Sequence, residues 1–325
     1  GWGILALQRE GWPVLETSHH PITVDRRLEL EHARSLTERV GKRRWYAFTR
    51  MQTRVARRMP RVMTVSESSR SDIHRDHRVP LDRLHVVPVG VDPDLFRPVP
   101  GVERVPGRLV TLGREPEAGT GTFVQVYVND VRMRLSGASA DVAMKGLRFL
   151  LEALAKLRTE RHVELTIIGR PNPDSAASRT MTELGLDGLV TFVSGVPDQR
   201  IVELYSEAEL AVVPSLYEGF SLPAIEAMAS GVPLVATTGG ALPEVAGSHG
   251  ETCFLSEPGD SESLAAVIRA ALDDANARAR VGAAGRRRVI DHWSWRHTAE
   301  RTVAQYRALL AEHAGRRGER PGGGG

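Results

Sequence analysis

Cysteine and lysine are scarce in this sequence of 325 residues, aromatic residues make up only 5%, and no long apolar run is present. Cys253 is the single cysteine, which excludes a disulfide framework and a cysteine-based zinc site. It lies in an apolar segment, so we expect a buried thiol. Lysine occurs only at Lys42, Lys145 and Lys156, so most of the positive charge comes from arginine. A membrane-spanning helix needs about 20 apolar residues, and the sequence predicts none.

Length and composition predict a soluble globular protein with two domains. A chain of 325 residues is long enough for two hydrophobic cores of ordinary size. Its hydrophobic content of 41% and charged content of 26% are typical of folded proteins. The first residues carry neither a methionine nor the basic leader of a signal peptide, so we expect the chain to begin inside a longer protein. The single cysteine favours a reducing, cytoplasmic location.

Residues 209–247 are the most informative stretch of the chain. The apolar run 210–214 is short enough for a buried strand, and a loop follows it. A helix is expected to begin with Ser221 as its N-cap and Pro223 in its first turn, and to end before Gly231. The apolar run 232–236 predicts a second strand. This order of strand, loop, helix and strand is typical of a parallel sheet, whose ligands bind at the carboxyl edge.

The loop and the start of this helix predict an anion site, because free N–H groups at a helix N-terminus attract phosphate. The amides that would point into the site belong to Gly219, Phe220, Ser221 and Leu222. Glu218 precedes the helix, and Glu226 lies about one turn inside it. A carboxylate beside an anion site is costly unless it binds hydroxyl groups. The pattern therefore favours a sugar nucleotide as ligand, and an ordinary βαβ unit with solvated acids is the alternative.

Glu218 and Glu226, within the segment PSLYEGFSLPAIEAMASGVP, resemble the E-x7-E signature of glycosyltransferase family 4. Its members are retaining enzymes of the GT-B architecture, which has two Rossmann-like, doubly wound α/β domains. The resemblance implies an acceptor-side domain at residues 1–98, incomplete because the family's first strand and glycine-rich loop are absent. It further implies a donor-binding domain at 99–290 and a helix at 291–313 that crosses back to the first domain. Residues 314–325 are expected to form a disordered tail.

The resemblance also assigns roles outside this segment. Lys145 would bind the donor diphosphate, since a lysine at the start of a helix opposes the helix dipole unless an anion binds there. Arg114 would be a second diphosphate ligand, and Gly90 would lie at the donor site. His19, at the end of an N-terminal strand, would reach the transferred sugar. The alternative for His19 is a loop histidine that caps local backbone, which is the role expected for His20.

Within the resemblance, Glu218 and His19 are the catalytic candidates, and Glu226 would bind the ribose hydroxyls. No metal and no cofactor is expected besides the nucleotide-sugar substrate. Asp92 and Asp94 form an Asp-x-Asp pattern, but their position in a linker argues against a metal site. Lysine, arginine and helix amides would instead neutralise the leaving diphosphate.

A β-hairpin insertion is predicted near residues 115–138. Apolar and polar residues alternate on both sides of Asn129 and Asp130, the pattern of two strands joined by a two-residue turn. In the family an Arg corresponding to Arg114 is followed closely by the lysine, whereas here the hairpin separates it from Lys145. Whether Arg114 reaches the diphosphate is therefore left open by the sequence.

Residues 39–61 are predicted to be a basic helix with interleaved aromatic residues. A solvated face over a packed one is the ordinary interpretation of such a charge run. The functional alternatives are contact with an anionic membrane, at the inner face of the cell membrane, and binding of an acidic acceptor. Nothing in the sequence matches a nucleic-acid module, so no nucleic acid is expected as a partner.

Two functions of different classes follow from these patterns. The first is a retaining, metal-independent glycosyltransferase that moves a sugar from a nucleotide-sugar donor to a lipid, glycan or small-molecule acceptor. The second is a non-catalytic nucleotide-sugar-binding module, which the shortness of the first domain suggests. A lipid-binding or nucleic-acid-binding surface protein is a third hypothesis, and it rests on residues 39–61 alone. The sequence indicates neither the base, the sugar nor the acceptor.

Overall fold

The computed structural model describes residues 2–31, 33, 35–112, 126–128, 131–133, 143–170 and 176–318. The chain divides into two compact units. The first unit comprises Gly1–Gly90 and Trp295–Gly325, and the second comprises Val91–Ser294. The domain limits expected from the sequence are residues 98 and 290, whereas these units divide after Gly90 and after Ser294.

Helices and strands alternate along most of the described chain. The described α-helices are α1 (Trp2–Arg9), α2 (Ile22–Glu31), α3 (Leu36–Trp45), α4 (Thr49–Ala56), α5 (Glu67–His77), α6 (Leu147–Leu157), α7 (Ala176–Glu183), α8 (Asp198–Glu207), α9 (Leu222–Ala229), α10 (Leu242–Ala246), α11 (Ser261–Asp273), α12 (Ala275–His292) and α13 (Trp295–Gly318). The described strands are β1 (Glu16–Thr17), β2 (Val62–Thr64), β3 (Leu84–Val86), β4 (Val105–Leu112), β5 (Val126–Val128), β6 (Val131–Met133), β7 (Glu164–Ile168), β8 (Val190–Val193), β9 (Ala208–Val213), β10 (Leu234–Thr237) and β11 (Phe254–Ser256).

The first unit contains a parallel sheet in the order β1-β2-β3. Its register places Glu16 opposite Val62 and Met63 opposite His85. One core of buried apolar side chains joins the sheet to the helices α4 and α5, and its members are Val14, Val55, Ala56, Met59, Val62, Ile73, Val79 and Leu84. Removing these side chains from water is the main favourable contribution to the stability of such a small sheet.

The last helix, α13, belongs to the first unit. The buried Arg61 donates to Gln305 Oε1 at 2.6 Å and also to Glu312 Oε1. Thr298 Oγ1 donates to the carbonyl oxygen of Pro88 at 2.9 Å. Helix α13 continues six residues beyond Glu312, to Gly318. The expected disordered tail is therefore corrected: residues 314–318 are helical, and residues 319–325 lie outside the described part of the chain.

The basic segment 39–61 is not one helix, and that prediction is wrong. α3 ends at Trp45, a 3-10 turn covers Tyr46–Phe48, and α4 follows. Tyr46 begins this turn; its ring is buried and its hydroxyl donates to Glu29 Oε1 at 2.8 Å. Arg61 lies beyond α4, directly before β2.

The second unit contains a six-stranded sheet in the order β11-β10-β9-β4-β7-β8, and all of its strand pairs are parallel. Counted along this sheet's own strands from β8, the order is 3-2-1-4-5-6, which is the Rossmann order. The predicted α/β class with a doubly wound, parallel sheet is confirmed. In such a sheet the strand order reverses between strands 1 and 4, here β4 and β9. Ligands bind in the crevice at the carboxyl ends of these two strands.

The predicted hairpin is described only in part. β5 and β6 pair antiparallel, with Val126 opposite Met133 and Val128 opposite Val131. Asn129, Asp130 and the remainder of the insertion lie outside the described residues, and so does Arg114.

The thiol of Cys253 is buried, as the sequence predicts. Burial raises its pKa to about 12, so the thiolate form is suppressed at neutral pH. No helix in the described part of the chain combines the length and the apolar character that a membrane crossing requires.

Two histidines, the buried His77 and the half-buried His85, should make the stability of the first unit depend on pH. His77 is 4% exposed, and its Nδ1 lies 2.7 Å from Thr53 Oγ1. Burial lowers the pKa of His77, and burial together with the charge of Arg61 lowers the pKa of His85. The unfolded chain therefore binds protons more readily than the folded one. The free energy of unfolding should be fully retained above the unfolded histidine value of 6.5 and should fall as the pH drops below it.

Urea unfolding followed by circular dichroism above and below this value measures the effect. The variant His77→Gln should be less stable than the wild type at the higher pH and should lose less stability on acidification. Equal losses in the wild type and the variant would show that His77 does not contribute to the pH dependence.

Candidate functional site

Two loops meet at the crevice between β4 and β9. The amide of Leu216, in the loop after β9, donates to the carbonyl oxygen of Met144 at 2.6 Å. Gly146 has a φ of +64°, and a Cβ at this position would lie 1.9 Å from the carbonyl oxygen of Pro214. Only glycine permits both the left-handed backbone and this close approach. Gly146 therefore allows the turn that carries Lys145 to lie against the loop after β9.

Lys145, Glu218 and Ser215 form a hydrogen-bonded group in this crevice. Lys145 Nζ and Ser215 Oγ each donate to Glu218 Oε1 at 2.7 Å. The side chain of Lys145 is 43% exposed and that of Glu218 is 11% exposed. Because Lys145 precedes the N-terminus of α6, where a cation is unfavourable, the carboxylate of Glu218 offsets that cost. The result is an accessible ammonium group beside a largely buried carboxylate.

Two further glycines hold the opposite side of the loop. A Cβ on Gly239 would lie 2.5 Å from the carbonyl oxygen of Leu216, and one on Gly240 would lie 2.4 Å from that of Glu218. The amide of Ala241 donates to the carbonyl oxygen of Glu218 at 2.8 Å. The backbone of Glu218 thus lies directly against the segment 239–241.

The first turn of α9 carries an unusual backbone. Ser221 is its N-cap, with Oγ accepting from the amide of Ala224 at 3.4 Å, and its φ is +123°. A non-glycine residue rarely adopts such a φ, so the surrounding packing must enforce it. The preceding Phe220 is 5% exposed and packs edge-on against Trp293, with ring centroids 5.5 Å apart. The predicted cap and the position of Pro223 are confirmed.

The structure places the predicted site residues in three groups. Lys145, Glu218 and residues 219–221 lie at the carboxyl edge of the second unit's sheet, before the helices that follow them. Leu222 begins α9, and Glu226 lies within it, where it is 7% exposed. His19 and Gly90 belong to the first unit. Arg114 lies outside the described residues.

His19 and His20 have different surroundings. His19 follows β1 and is exposed, yet partial burial lowers its pKa and the neighbouring His20 lowers it further. Both effects favour the neutral form of the His19 imidazole. His20 Nε2 lies 3.1 Å from both carboxylate oxygens of Asp25, a contact with a side chain and not the backbone cap that the sequence predicts.

Acidic and histidine side chains of the described residues do not form a metal cluster, since no group of three or more His, Cys, Asp or Glu is close enough to hold an ion. Asp92 Oδ1 instead accepts from the amides of Asp94 and Leu95, at 2.9 and 3.3 Å. This carboxylate stabilises its own turn.

Sequence reasoning missed Ser215 and Gly146. Ser215 is 2% exposed in the structure. In the sequence, the available signal was a serine that follows the apolar run directly and precedes Glu218 by three residues. Gly146 follows Lys145 directly, and a glycine between a cation and a helix could have indicated a close backbone approach.

Two family models match the chain. Glycosyltransferase Family 4 covers residues 1–95, and Glycosyl transferases group 1 covers residues 138–288. The MMP alpha-(1->4)-mannosyltransferase of Mycolicibacterium hassiacum is 43% identical over 314 residues, which cover 97% of this chain and 70% of that protein. The O-antigen chain mannosyltransferase B of Escherichia coli is 28% identical over 251 residues, covering 76% of this chain and 60% of that protein.

A solved structure of HepE from Anabaena, in complex with UDP-glucose, matches with a TM-score of 0.70 at 21% identity, covering 94% of this chain and 75% of that one. At this level of identity the match concerns the fold alone. The family models, the relative at 43% identity and the Rossmann-like sheets agree, and the chain belongs to the GT-B glycosyltransferases of family 4 and group 1.

Proposed function

We propose that this chain is a retaining, metal-independent glycosyltransferase that moves a mannosyl group from a nucleotide-sugar donor to a hydroxyl of a saccharide acceptor. The observation that carries the proposal is the Lys145–Glu218 pair at the point where the strand order of a Rossmann sheet reverses. The names of two relatives, both mannosyltransferases, support the choice of sugar. The complex of HepE with UDP-glucose supports a nucleotide-sugar donor.

Charge neutralisation of the leaving group is the central task in this reaction. The bond between the anomeric carbon and the diphosphate oxygen breaks, a bond from the acceptor oxygen to the same carbon forms on the same face, and the acceptor proton passes to the departing phosphate. Negative charge develops on the diphosphate, and the accessible ammonium of Lys145 would neutralise it. Arg114 is the second proposed diphosphate ligand. The amides before α9 would add their partial positive charge.

The remaining roles follow the family pattern. Glu226, buried in α9, would bind the ribose hydroxyls. Glu218 and the amides of residues 219–222 would face the transferred sugar, with Ser215 holding the carboxylate in place. From the first unit, neutral His19 would donate to the sugar, and Gly90 would contribute to the donor site.

A non-catalytic module that binds nucleotide sugars is the second candidate, because the chain spans 70% and 60% of the length of the two mannosyltransferases. Incubation with GDP-, UDP- and ADP-mannose and a mannoside acceptor separates the two functions. The proposed enzyme forms an α-linked product in the presence of excess chelator. Binding without product would favour the module, and neither binding nor product would contradict both.

The variant Glu226→Gln should bind the nucleotide about 10- to 100-fold more weakly, because a hydrogen bond to a charged carboxylate contributes about 1.5–3 kcal/mol. Calorimetric titration of the nucleotide measures the change. Deoxyribose nucleotides should bind more weakly than ribose nucleotides to the wild type but about equally to the variant. The exposed Glu251 provides the control, since Glu251→Gln should bind as the wild type does. Equal ribose discrimination in wild type and Glu226→Gln would remove Glu226 from this role.

A further inference from the structure

Residues 36–58, comprising α3, the 3-10 turn and α4, form a surface that we name the basic ridge. Large apolar side chains stand exposed along it: Leu36 is 82% exposed, Val40 64%, Trp45 51% and Phe48 38%. Single exposed apolar residues are ordinary on a protein surface. Four of them within one short stretch indicate an interaction surface whose partner provides apolar groups.

The net positive charge of the ridge exceeds that of the whole chain. It contains eight basic side chains and one acidic one, Glu38, and so has a net charge of +7 in a chain whose total is +3. The basic residues are Arg39, Lys42, Arg43, Arg44, Arg50, Arg54, Arg57 and Arg58. Within the described residues only Lys42 among them forms a salt bridge, with Glu29 and Glu38. The arginines are therefore not neutralised by the described carboxylates.

The orientation of α3 is the reverse of that of an ordinary surface helix in water. Such a helix turns its apolar side toward the protein and its charges outward. In α3, Glu38 and Lys42 are half-buried and pair with each other at 3.0 Å, and Lys42 also reaches the carbonyl oxygen of Glu29 in α2. Leu36 and Val40, one turn apart, lie on the outward face.

Arginines border this apolar face on both sides. By helical spacing, Arg39 and Arg43 lie along one edge of the Leu36 and Val40 pair, and Arg44 lies along the other. All three are exposed. An apolar centre with cationic edges is the arrangement by which an interfacial helix inserts between lipid tails while its cations bind anionic headgroups.

We propose that the basic ridge docks this protein on the surface of an anionic lipid bilayer. Charge complementarity selects an anionic partner, and the outward Leu36 and Val40 select one with an apolar interior. A phosphate backbone would bind the arginines but would leave both apolar side chains exposed to water. The docking does not depend on the proposed transfer reaction.

Co-sedimentation with vesicles tests the docking. The wild type should bind vesicles of equal parts phosphatidylcholine and phosphatidylglycerol, and should not bind vesicles of phosphatidylcholine alone. The double variant Leu36→Ser with Val40→Ser should lower the partition coefficient about tenfold, because it removes the inserted apolar area. The triple variant of Arg39, Arg43 and Arg44 to Gln should weaken binding and reduce its dependence on salt.

Matched controls lie on α13 of the same unit. Val303 and Leu310 are 42% and 56% exposed, so changing both to Ser should leave vesicle binding unchanged. Arg301 and Arg307 are exposed and provide the corresponding Gln controls. Circular dichroism is used to check that each variant is folded.

Tryptophan emission provides a second measurement. It should shift to shorter wavelength on anionic vesicles, and Trp45→Phe should reduce that shift. No binding to anionic vesicles, or equal binding by the Leu36/Val40 double variant, would overturn the proposal. So would a change of oligomeric state in that variant without loss of vesicle binding, because a second copy would then be the partner. Salt-dependent binding of heparin with no contribution from Leu36 and Val40 and no vesicle binding would also overturn it.

Discussion

Replacing Lys145 by alanine should lower kcat/KM for sugar transfer by about 100- to 1,000-fold, the usual loss when one group that stabilises developing negative charge is removed. The expectation follows from position and accessibility. Lys145 lies in the crevice between β4 and β9, and its side chain is 43% exposed although it contacts Glu218. An incoming diphosphate can therefore compete for the ammonium without any rearrangement of the core.

Initial rates with saturating acceptor measure this loss. Lys145→Arg should retain more activity than Lys145→Ala because the charge is kept. Lys156, which pairs with Glu262 on the surface, provides the matched control, and Lys156→Ala should be as active as the wild type. Unchanged rates in Lys145→Ala, with its thermal unfolding also unchanged, would remove Lys145 from the donor site.

Replacing Gly146 by alanine should destabilise the second unit by about 2–4 kcal/mol, which corresponds to a fall in Tm of roughly 5–15 °C for a unit of this size. The new Cβ would lie 1.9 Å from the carbonyl oxygen of Pro214, at a φ of +64°. Backbone on both sides must shift, because no flexible side chain is there to move. The shift separates Lys145 from Glu218, so activity should fall together with stability.

Substitutions at two other glycines separate the steric cost at Gly146 from the cost of its left-handed backbone. Gly185 has a similar φ of +60°, but its nearest neighbours are the ends of the Arg158 side chain at 3.9 Å or more. Gly185→Ala should therefore cost only the backbone strain, about 1–2 kcal/mol. Gly188 has neither a left-handed φ nor a neighbour within 4 Å, and Gly188→Ala should be close to neutral. Calorimetric unfolding of the three variants checks the order, and equal Tm values for Gly146→Ala and Gly185→Ala would contradict the steric argument.

Local patterns allowed the strand, the loop and the capped helix around Glu218 to be predicted from sequence. Pro223, Ser221 and the apolar runs act within a few residues of one another, so their effects are visible in a short window. The φ of +123° at Ser221 could not be predicted, because a non-glycine residue rarely adopts such a φ and no local pattern indicates it.

Contacts between side chains explain why other predictions from the sequence were wrong or incomplete. The basic segment was predicted as one helix because its charges continue past Tyr46, but a 3-10 turn begins there. Tyr46 is buried and donates to Glu29 in another helix, a contact that the charge pattern does not show. The tail was predicted to begin too early because the anchor of α13, Arg61, lies far away in sequence. Lys145 and Glu218 were predicted as site residues, but Ser215 was not, because its hydrogen bond to Glu218 is visible only in the structure.

The contact between Arg61 and Glu312 spans 251 positions of the sequence. During synthesis the ribosome makes the entire second unit between these two residues. At about 5–20 residues per second, roughly 10–50 s pass between the synthesis of Arg61 and that of Glu312. The second unit is continuous in sequence and can fold as it emerges, whereas the first unit is completed only when α13 arrives. The order of synthesis is therefore the reverse of the order in which the two units are completed.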